Sequence, residues 1–81
     1  MHWVITDENG NAMDPELLRQ DLQNMGLLND VNLEQDGPDL ETITAIRMYI
    51  RKDREEGEIH QKISEAMPLF NGYGYKVEMA E

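Results

Sequence analysis

Apolar and polar residues alternate with a period of two in four segments of the chain. Trp3 and Ile5, for example, share one face of the first segment, while Val4 and Thr6 lie on the other face. Alternation of this kind predicts a β-strand with one buried face. The four predicted strands cover residues 2–6, 30–35, 42–51 and 73–79.

Two other segments repeat their apolar residues every three or four positions. Leu18 and Leu22 lie four residues apart in one segment, and Ile59 and Ile63 lie four apart in the other. This period predicts amphipathic helices that each bury one stripe of side chains. The predicted helices cover residues 15–25 and 58–67.

Residues with strong local preferences support these helix limits. Asp14 can cap the free N–H groups of the first helix, Pro15 suits the first helical position, and Gly26 can end the helix. Pro68 predicts the end of the second helix, and Asn71-Gly72 predicts a turn.

The predicted order is β-α-β-β-α-β, in a single domain that spans residues 1–81. Two right-handed crossovers around a central hairpin would give a small ferredoxin-like α+β fold, with an antiparallel sheet and two helices on one face. The second and fourth strands would then lie at the edges of the sheet. The predicted core comprises Trp3, Ile5, Leu18, Leu22, Ile46, Met48, Ile59, Ile63 and Val77.

Residues 42–51 leave an alternative open. Their β-branched residues favour a strand. However, Leu40, Ile43, Ile46 and Ile50 have a spacing that could also form a helical stripe. In that case the fold would be a smaller sheet with three helices.

Charge is distributed unevenly over the 81 residues, whose formal net charge is −10. Residues 1–41 contain ten acids and one base, a net of −9, while residues 42–81 contain seven acids and six bases, a net of −1. Phosphate binding needs clustered Lys and Arg, so we expect no direct binding to DNA and no binding to an anionic membrane.

The chain contains no cysteine, which excludes disulfides, thiolate metal sites and cysteine nucleophiles. Small secreted domains usually need disulfides, so the composition favours a cytoplasmic location. The first residues carry no basic region and no apolar stretch of signal length, and no apolar run approaches the roughly 20 residues that span a bilayer.

No arrangement of residues predicts catalysis or a cofactor. Ser64, the only serine, lies four residues after His60 on the second predicted helix, but no oxyanion hole or strained nucleophile turn accompanies the pair. We therefore expect that the protein is not an enzyme and that His60 lies at the edge of the apolar stripe.

Oxygen-bearing side chains recur through residues 30–41 in a pattern that superficially resembles a calcium-binding EF-hand loop. The loop requires glycine at its sixth position, where this chain has Gln35, and Gly37 comes too late for the turn. Alternation of Val31 and Leu33 explains the same spacing as a strand, so we expect no metal site.

The only basic cluster lies around residues 47–54. On a strand, Arg47, Tyr49 and Arg51 would share the face opposite the core, as in a platform on which nucleic-acid bases stack. The acidic residues Asp53 and Glu55 follow at once and weaken the positive field. We therefore expect this cluster to balance the acidic half of the same chain.

The sequence instead predicts a module that binds a partner protein. In the predicted fold, the first helix and second strand share one flank, where carboxylates could imitate a phosphate backbone and meet a basic surface. Small acidic inhibitors that occupy nucleic-acid sites, many of them phage-encoded, are similar in size and charge. The candidate partner-binding residues are Glu16, Asp21, Asp30, Glu34, Asp36 and Asp39.

A structural or assembly role is the alternative to an inhibitor or adaptor. The last predicted strand carries Tyr73 and Tyr75 and has Lys76 as its only base. An edge strand with so little protection can pair with another chain. The alternative hypothesis is therefore a homo-oligomer, most simply a homodimer, that forms through this strand.

Overall fold

The structure is a computed structural model that describes residues 1–37 and 43–81. The described residues form four strands, three α-helices and one short 3₁₀ turn. The strands are β1 (His2–Asp7), β2 (Val31–Gln35), β3 (Ile46–Ile50) and β4 (Tyr75–Ala80). The helices are α1 (Pro15–Asn24), α2 (Glu56–Glu65) and α3 (Met67–Gly72), and the 3₁₀ turn is Leu28–Asp30.

The four strands form one antiparallel sheet in the order β2-β3-β1-β4. Trp3 on β1 pairs with Met48 on β3 and with Met79 on β4, and Met48 also pairs with Leu33 on β2. This register places the predicted inward residues on one face. The sequence-based prediction that β2 and β4 lie at the edges is confirmed for the part of the sheet that the structure describes.

Helix α1 begins and ends as its sequence predicts. The Asp14 side chain accepts a hydrogen bond from the Glu16 N–H at 2.9 Å, and Pro15 occupies the first turn. Gly26 follows the C-cap with φ +74°, a left-handed conformation that costs glycine little but strains other residues.

Side chains from all three helices join one strand face in a continuous core. Eight of the nine predicted core residues are buried, and the ninth, Val77, is partly buried against the same cluster. Seven further apolar residues, which were not in the predicted core, are also buried: Met13, Leu27, Val31, Ile43, Ala66, Phe70 and Tyr75.

A third helix separates the observed fold from the predicted one. Helix α2 ends at Glu65, and the chain starts a new helix at Met67 in which Pro68 occupies the first turn. Proline is tolerated at that position because the N–H it lacks would have no helical partner. The chain is therefore α+β with a four-stranded antiparallel sheet and three helices, and it does not match the predicted ferredoxin-like order β-α-β-β-α-β in full.

The ambiguous segment forms a strand, but a shorter one than predicted. Ile46–Ile50 is β3, which excludes the helical alternative for those residues. Ile43 is buried outside the strand, and its C=O accepts a hydrogen bond from the Met13 N–H at 2.8 Å. The other residues used in the prediction, Leu40 and Thr42, lie outside the described residues.

Candidate functional site: the acidic end of the sheet

Two of the six candidate carboxylates, Asp21 and Asp30, are largely buried and form hydrogen bonds within the protein. Asp21 is only 8% exposed and accepts a hydrogen bond from the Tyr75 hydroxyl at 2.5 Å. Tyr75 belongs to β4, whereas β2 lies at the opposite edge of the sheet. The predicted single flank therefore does not form, because α1 directs Asp21 towards β4.

Asp30 joins the start of β2 to the loop before α2 and to α2 itself. Its carboxylate accepts hydrogen bonds from Lys62 Nζ at 2.6 Å and from Arg54 Nε at 3.0 Å. The Lys62 ammonium, assisted by the Arg54 guanidinium, holds the pKa of Asp30 below its ordinary value of 3.8. Because the side chain is 13% exposed, this carboxylate stabilises the fold and offers little surface to a partner.

Glu16 and Glu34 are exposed, but each lies beside an arginine. Glu16 accepts a hydrogen bond from Arg19 Nη1 at 2.6 Å on α1, and Glu34 lies 3.6 Å from Arg47 Nη1 across β2 and β3. Their charges are therefore partly compensated. Asp39 lies outside the described residues.

Asp36 lies among other carboxylates at one end of the sheet. Ile5 on β1 and Gln35 on β2 both pair with Ile46, so the carboxyl-terminal ends of β1 and β2 lie at the same end. Asp36 follows β2 at that end. Among residues 1–37 and 43–81, four exposed or half-exposed carboxylates lie at the end of β1 or in the loops there, and we call them the acidic end: Asp7, Glu8, Asp14 and Asp36.

A backbone bond joins the two loops of the acidic end. The Met13 N–H donates to the Ile43 C=O at 2.8 Å, which ties the segment before α1 to the segment before β3. Asp7, Asp14 and Asp21 also all act on one group, since their negative charges add to the burial that raises the pKa of Tyr75. Asp7 and Asp14 therefore lie close enough to act together on Tyr75.

Neutral donors hold three of these carboxylates in place. Asp7 accepts hydrogen bonds from the backbone N–H groups of Asn9 at 2.8 Å and Asn11 at 3.4 Å, and Asp14 caps α1. Asp36 accepts from the Thr44 hydroxyl at 2.8 Å and from the Thr44 N–H at 3.1 Å. The hydrogen bond from the Thr44 hydroxyl holds the pKa of Asp36 below its ordinary value.

Most of the basic residues lie away from the acidic end, but Lys76 on β4 pairs with Thr6, next to Asp7. Among the described residues, six of the seven Lys and Arg side chains form ion pairs, and none of these pairs involves a residue of the acidic end. Arg51, Lys52 and Arg54 follow β3 at the opposite end of the sheet. Arg51 donates to Asp53 and lowers the pKa of that carboxyl. Arg51 thus balances a neighbouring acid, while Arg47 and Arg54 pair with Glu34 and Asp30 of the acidic half, which is the role predicted for the cluster.

The outer face of the sheet carries part of the predicted stacking platform. Tyr49 stacks on His2 of the neighbouring strand with ring centroids 4.9 Å apart, and Arg47 on the same face is paired with Glu34. Beside Tyr49, a cavity of about 260 Å³ is lined by Met1, Tyr49, Ile50, Arg51, Lys52, Arg54 and Glu56.

His60, the histidine of the candidate catalytic pair, lies at the edge of the core. Its ring centroid is 5.5 Å from that of Trp3. In residues 1–37 and 43–81 no group of three or more acidic or histidine side chains could hold a metal ion. The described helices are also too short or too polar for any of them to cross a membrane.

Sequence reasoning identified Asp14 as a cap but missed the acidic end as a unit. The signal was available in the predicted topology, because strands that run in the same direction end on the same side of a sheet. Asp7, Glu8 and Asp36 each stand at or just after such an end. The contact between Tyr75 and Asp21 had no comparable signal.

A comparison with protein-family models, with curated proteins and with solved structures finds no match for this chain.

Proposed function

We propose that this protein is a small acidic binding module, an inhibitor or an adaptor, whose acidic end engages a basic surface on a partner protein. The proposal keeps the class of function that the composition favours. It moves the contact surface from the six candidate residues to Asp7, Glu8, Asp14 and Asp36, with Glu16 beside them.

The observation that carries the proposal is the way these carboxylates are held. Asp7, Asp14 and Asp36 accept hydrogen bonds from N–H and O–H groups, which carry no charge. Each side chain therefore keeps its negative charge while its conformation is already fixed. Fixed groups lose less conformational entropy when they bind, which favours affinity, and their field accelerates the approach of a basic surface.

Imitation of nucleic acid is one mechanism within this proposal. A basic groove that binds phosphates would also accept an ordered set of carboxylates, and the protein would then compete with DNA or RNA for its partner. The absence of cysteine favours a cytoplasmic setting for such a partner.

The test compares two variants that carry the same change in net charge. Glu8→Gln/Asp14→Asn/Asp36→Asn neutralises three carboxylates of the acidic end. Asparagine remains a good helix cap at position 14, and at position 36 its amide oxygen can still accept from the Thr44 N–H while its NH2 group can donate to the Thr44 hydroxyl. The control, Glu56→Gln/Glu58→Gln/Glu65→Gln, neutralises three exposed carboxylates of α2. Both variants and the wild type are immobilised and used to capture partners from the native host.

We expect a partner that binds the wild type and the α2 control but is lost from the acidic-end variant. Its association rate with the wild type should fall as the ionic strength rises, since salt screens charges over about 8 Å at physiological concentration. Equal loss of binding in both variants would contradict the proposal, because only the net charge would then matter. A partner retained by both variants would also contradict it.

Assembly of identical copies through an edge strand is a second candidate function. It is supported by the position of β4, whose only neighbour in the described sheet is β1.

A further inference from the structure

The outer edge of β4 presents backbone groups that no described strand pairs with. The Gly74 C=O accepts a hydrogen bond from the Glu8 N–H at 3.0 Å, so this carbonyl faces β1. In an antiparallel strand, the N–H and C=O of one residue point to the same side, and the side alternates along the strand. The residues whose backbone groups face away from the sheet are therefore Tyr75, Val77 and Met79.

Two side chains of opposite charge flank Val77 on this strand. Lys76 precedes Val77 and Glu78 follows it, and both point to the outer face of the sheet. Lys76 Nζ and Glu78 Oε1 are 3.1 Å apart, with the side chains 64% and 66% exposed. The strand contains no proline, which is a common protection of sheet edges.

We propose that β4 pairs in an antiparallel manner with β4 of a second copy of this chain, with Val77 opposite Val77. This inference rests on the second candidate function and is independent of the acidic end. Val77 then exchanges both backbone hydrogen bonds with its copy, and Tyr75 does so with Met79 of the other copy. The two sheets join into one continuous sheet of eight strands.

Charge selects this register over its neighbours. With Val77 at the centre, Lys76 of each copy lies opposite Glu78 of the other. The smallest shift that keeps the outward backbone groups paired is two residues. In one direction it places Lys76 opposite Lys76, and in the other it places Glu78 opposite Glu78. Opposite charges across strands stabilise a pair, while like charges destabilise it.

An exposed apolar side chain also gains a neighbour in this arrangement. Met79 is 57% exposed although it belongs to the core face of the sheet. In the paired register it lies opposite Tyr75 of the second copy, at the margin of that copy's core. The arrangement also places the acidic end of each copy beside the opposite end of its neighbour, which limits repulsion between two chains of net charge −10.

The first experiment measures mass against concentration by sedimentation equilibrium. We expect the wild type to dimerise and Lys76→Glu to weaken the dimer by about tenfold or more, because each copy then places Glu opposite Glu. The double variant Lys76→Glu/Glu78→Lys should restore dimerisation, since it exchanges the charges and keeps the register. Gln23→Glu, which adds a negative charge at an exposed position of α1, is the control and should dimerise like the wild type.

A second variant tests the backbone contribution. Met79→Pro removes one outward N–H group without removing a bond to β1, and the lost side chain is mostly exposed. It should remain folded and become monomeric, whereas Met79→Ala, which keeps the N–H group, should still dimerise.

The register is tested by cross-linking, which is unambiguous in a chain without cysteine. Residues opposite each other in a bonded pair have Cα atoms about 5.5 Å apart, within the range that a disulfide spans. Val77→Cys should therefore form a covalent dimer under mild oxidation. Asn32→Cys, exposed on the other edge strand, should not.

Several results would overturn the inference. These are a wild type that stays monomeric at millimolar concentration, a dimer that is indifferent to both Lys76→Glu and Met79→Pro, and cross-linking that is equal at Val77 and Asn32. Failure of the acidic-end proposal would leave these results unchanged, because Glu8→Gln/Asp14→Asn/Asp36→Asn does not alter β4.

Discussion

The hydroxyl of Tyr75 donates a hydrogen bond to Asp21 Oδ2 at 2.5 Å and so joins the edge strand β4 to helix α1. Each of the two residues is only 8% exposed. Phe70 packs against the Tyr75 ring in an edge-on contact with centroids 6.4 Å apart. A carboxylate is costly to bury without a donor, so this tyrosine makes the position of Asp21 tolerable.

Removal of the hydroxyl should therefore destabilise the domain. We expect Tyr75→Phe to lower the free energy of unfolding by about 1–3 kcal/mol, because a buried acceptor loses its partner. Urea denaturation measures the change. Tyr73→Phe is the matched control, since Tyr73 is 45% exposed, and it should shift the midpoint little. A midpoint unchanged by Tyr75→Phe would show that water replaces the hydroxyl at no cost.

The same contact predicts a loss of stability in alkaline solution. Burial, followed by the hydrogen bond to Asp21, raises the pKa of Tyr75 well above its ordinary value of 10.0. Above about pH 10 the unfolded chain releases the phenolic proton while the folded chain retains it. The folded state therefore loses stability as the pH rises. The stability difference between wild type and Tyr75→Phe should be constant at lower pH and shrink as the pH rises from about 10 to about 12. A constant difference across that range would contradict this account.

Asp30 should make the domain sensitive to acid. Its pKa is lowered, first by the hydrogen bond from Lys62, so the unfolded chain takes up a proton at a higher pH than the folded chain. The stability from this carboxylate is present above its ordinary pKa of 3.8 and is lost as the pH falls through the lower folded value.

Asp30→Asn should therefore be less stable than the wild type near neutral pH, and its stability should fall less steeply between about pH 5 and about 2. Thermal unfolding across that range measures both effects. The control is Glu65→Gln, a change to an exposed carboxylate of α2, which should keep the steep wild-type profile. Parallel profiles for Asp30→Asn and wild type would remove Asp30 as the cause.

Two leucines of α1 allow the stability that comes from core packing to be measured apart from the stability that comes from helix propensity. Leu22 is fully buried, while Leu17 is 53% exposed on the same helix. Leu22→Ala should cost about 2–4 kcal/mol, because it removes apolar contacts and leaves a cavity, whereas Leu17→Ala should cost less than about 0.5 kcal/mol. Denaturation midpoints measure both. Similar costs for the two variants would show that the stripe around Leu22 is not the core.

Local patterns in the sequence predicted most of the secondary structure. Alternation placed Trp3 and Ile5 on the inner face of β1, and Asp14 and Gly26 marked the limits of α1, because each of these signals depends only on neighbouring residues. The break between α2 and α3 was missed at Pro68, since proline can end one helix or begin the next and the sequence does not distinguish these outcomes.

The candidate site was predicted less well because it depends on distant contacts. Asp21 and Asp30 look like surface carboxylates in the sequence, and only the fold places Tyr75 beside one and Lys62 beside the other. Composition could report how much acid the chain contains. It could not separate the carboxylates that stabilise the fold from those that remain exposed.

The pairing of β1 with β4 has a consequence for how the domain folds. This ladder joins His2 to Ala80 and Asp7 to Tyr75, so it closes a loop that contains nearly all of the described chain. Contacts between such distant segments cost loop-closure entropy before they return any stability, and they slow folding. Until β4 arrives, β1 has one unpaired side and Asp21 lacks its donor. The edge of β1 and the Asp21 carboxylate therefore gain their partners only when the last strand docks.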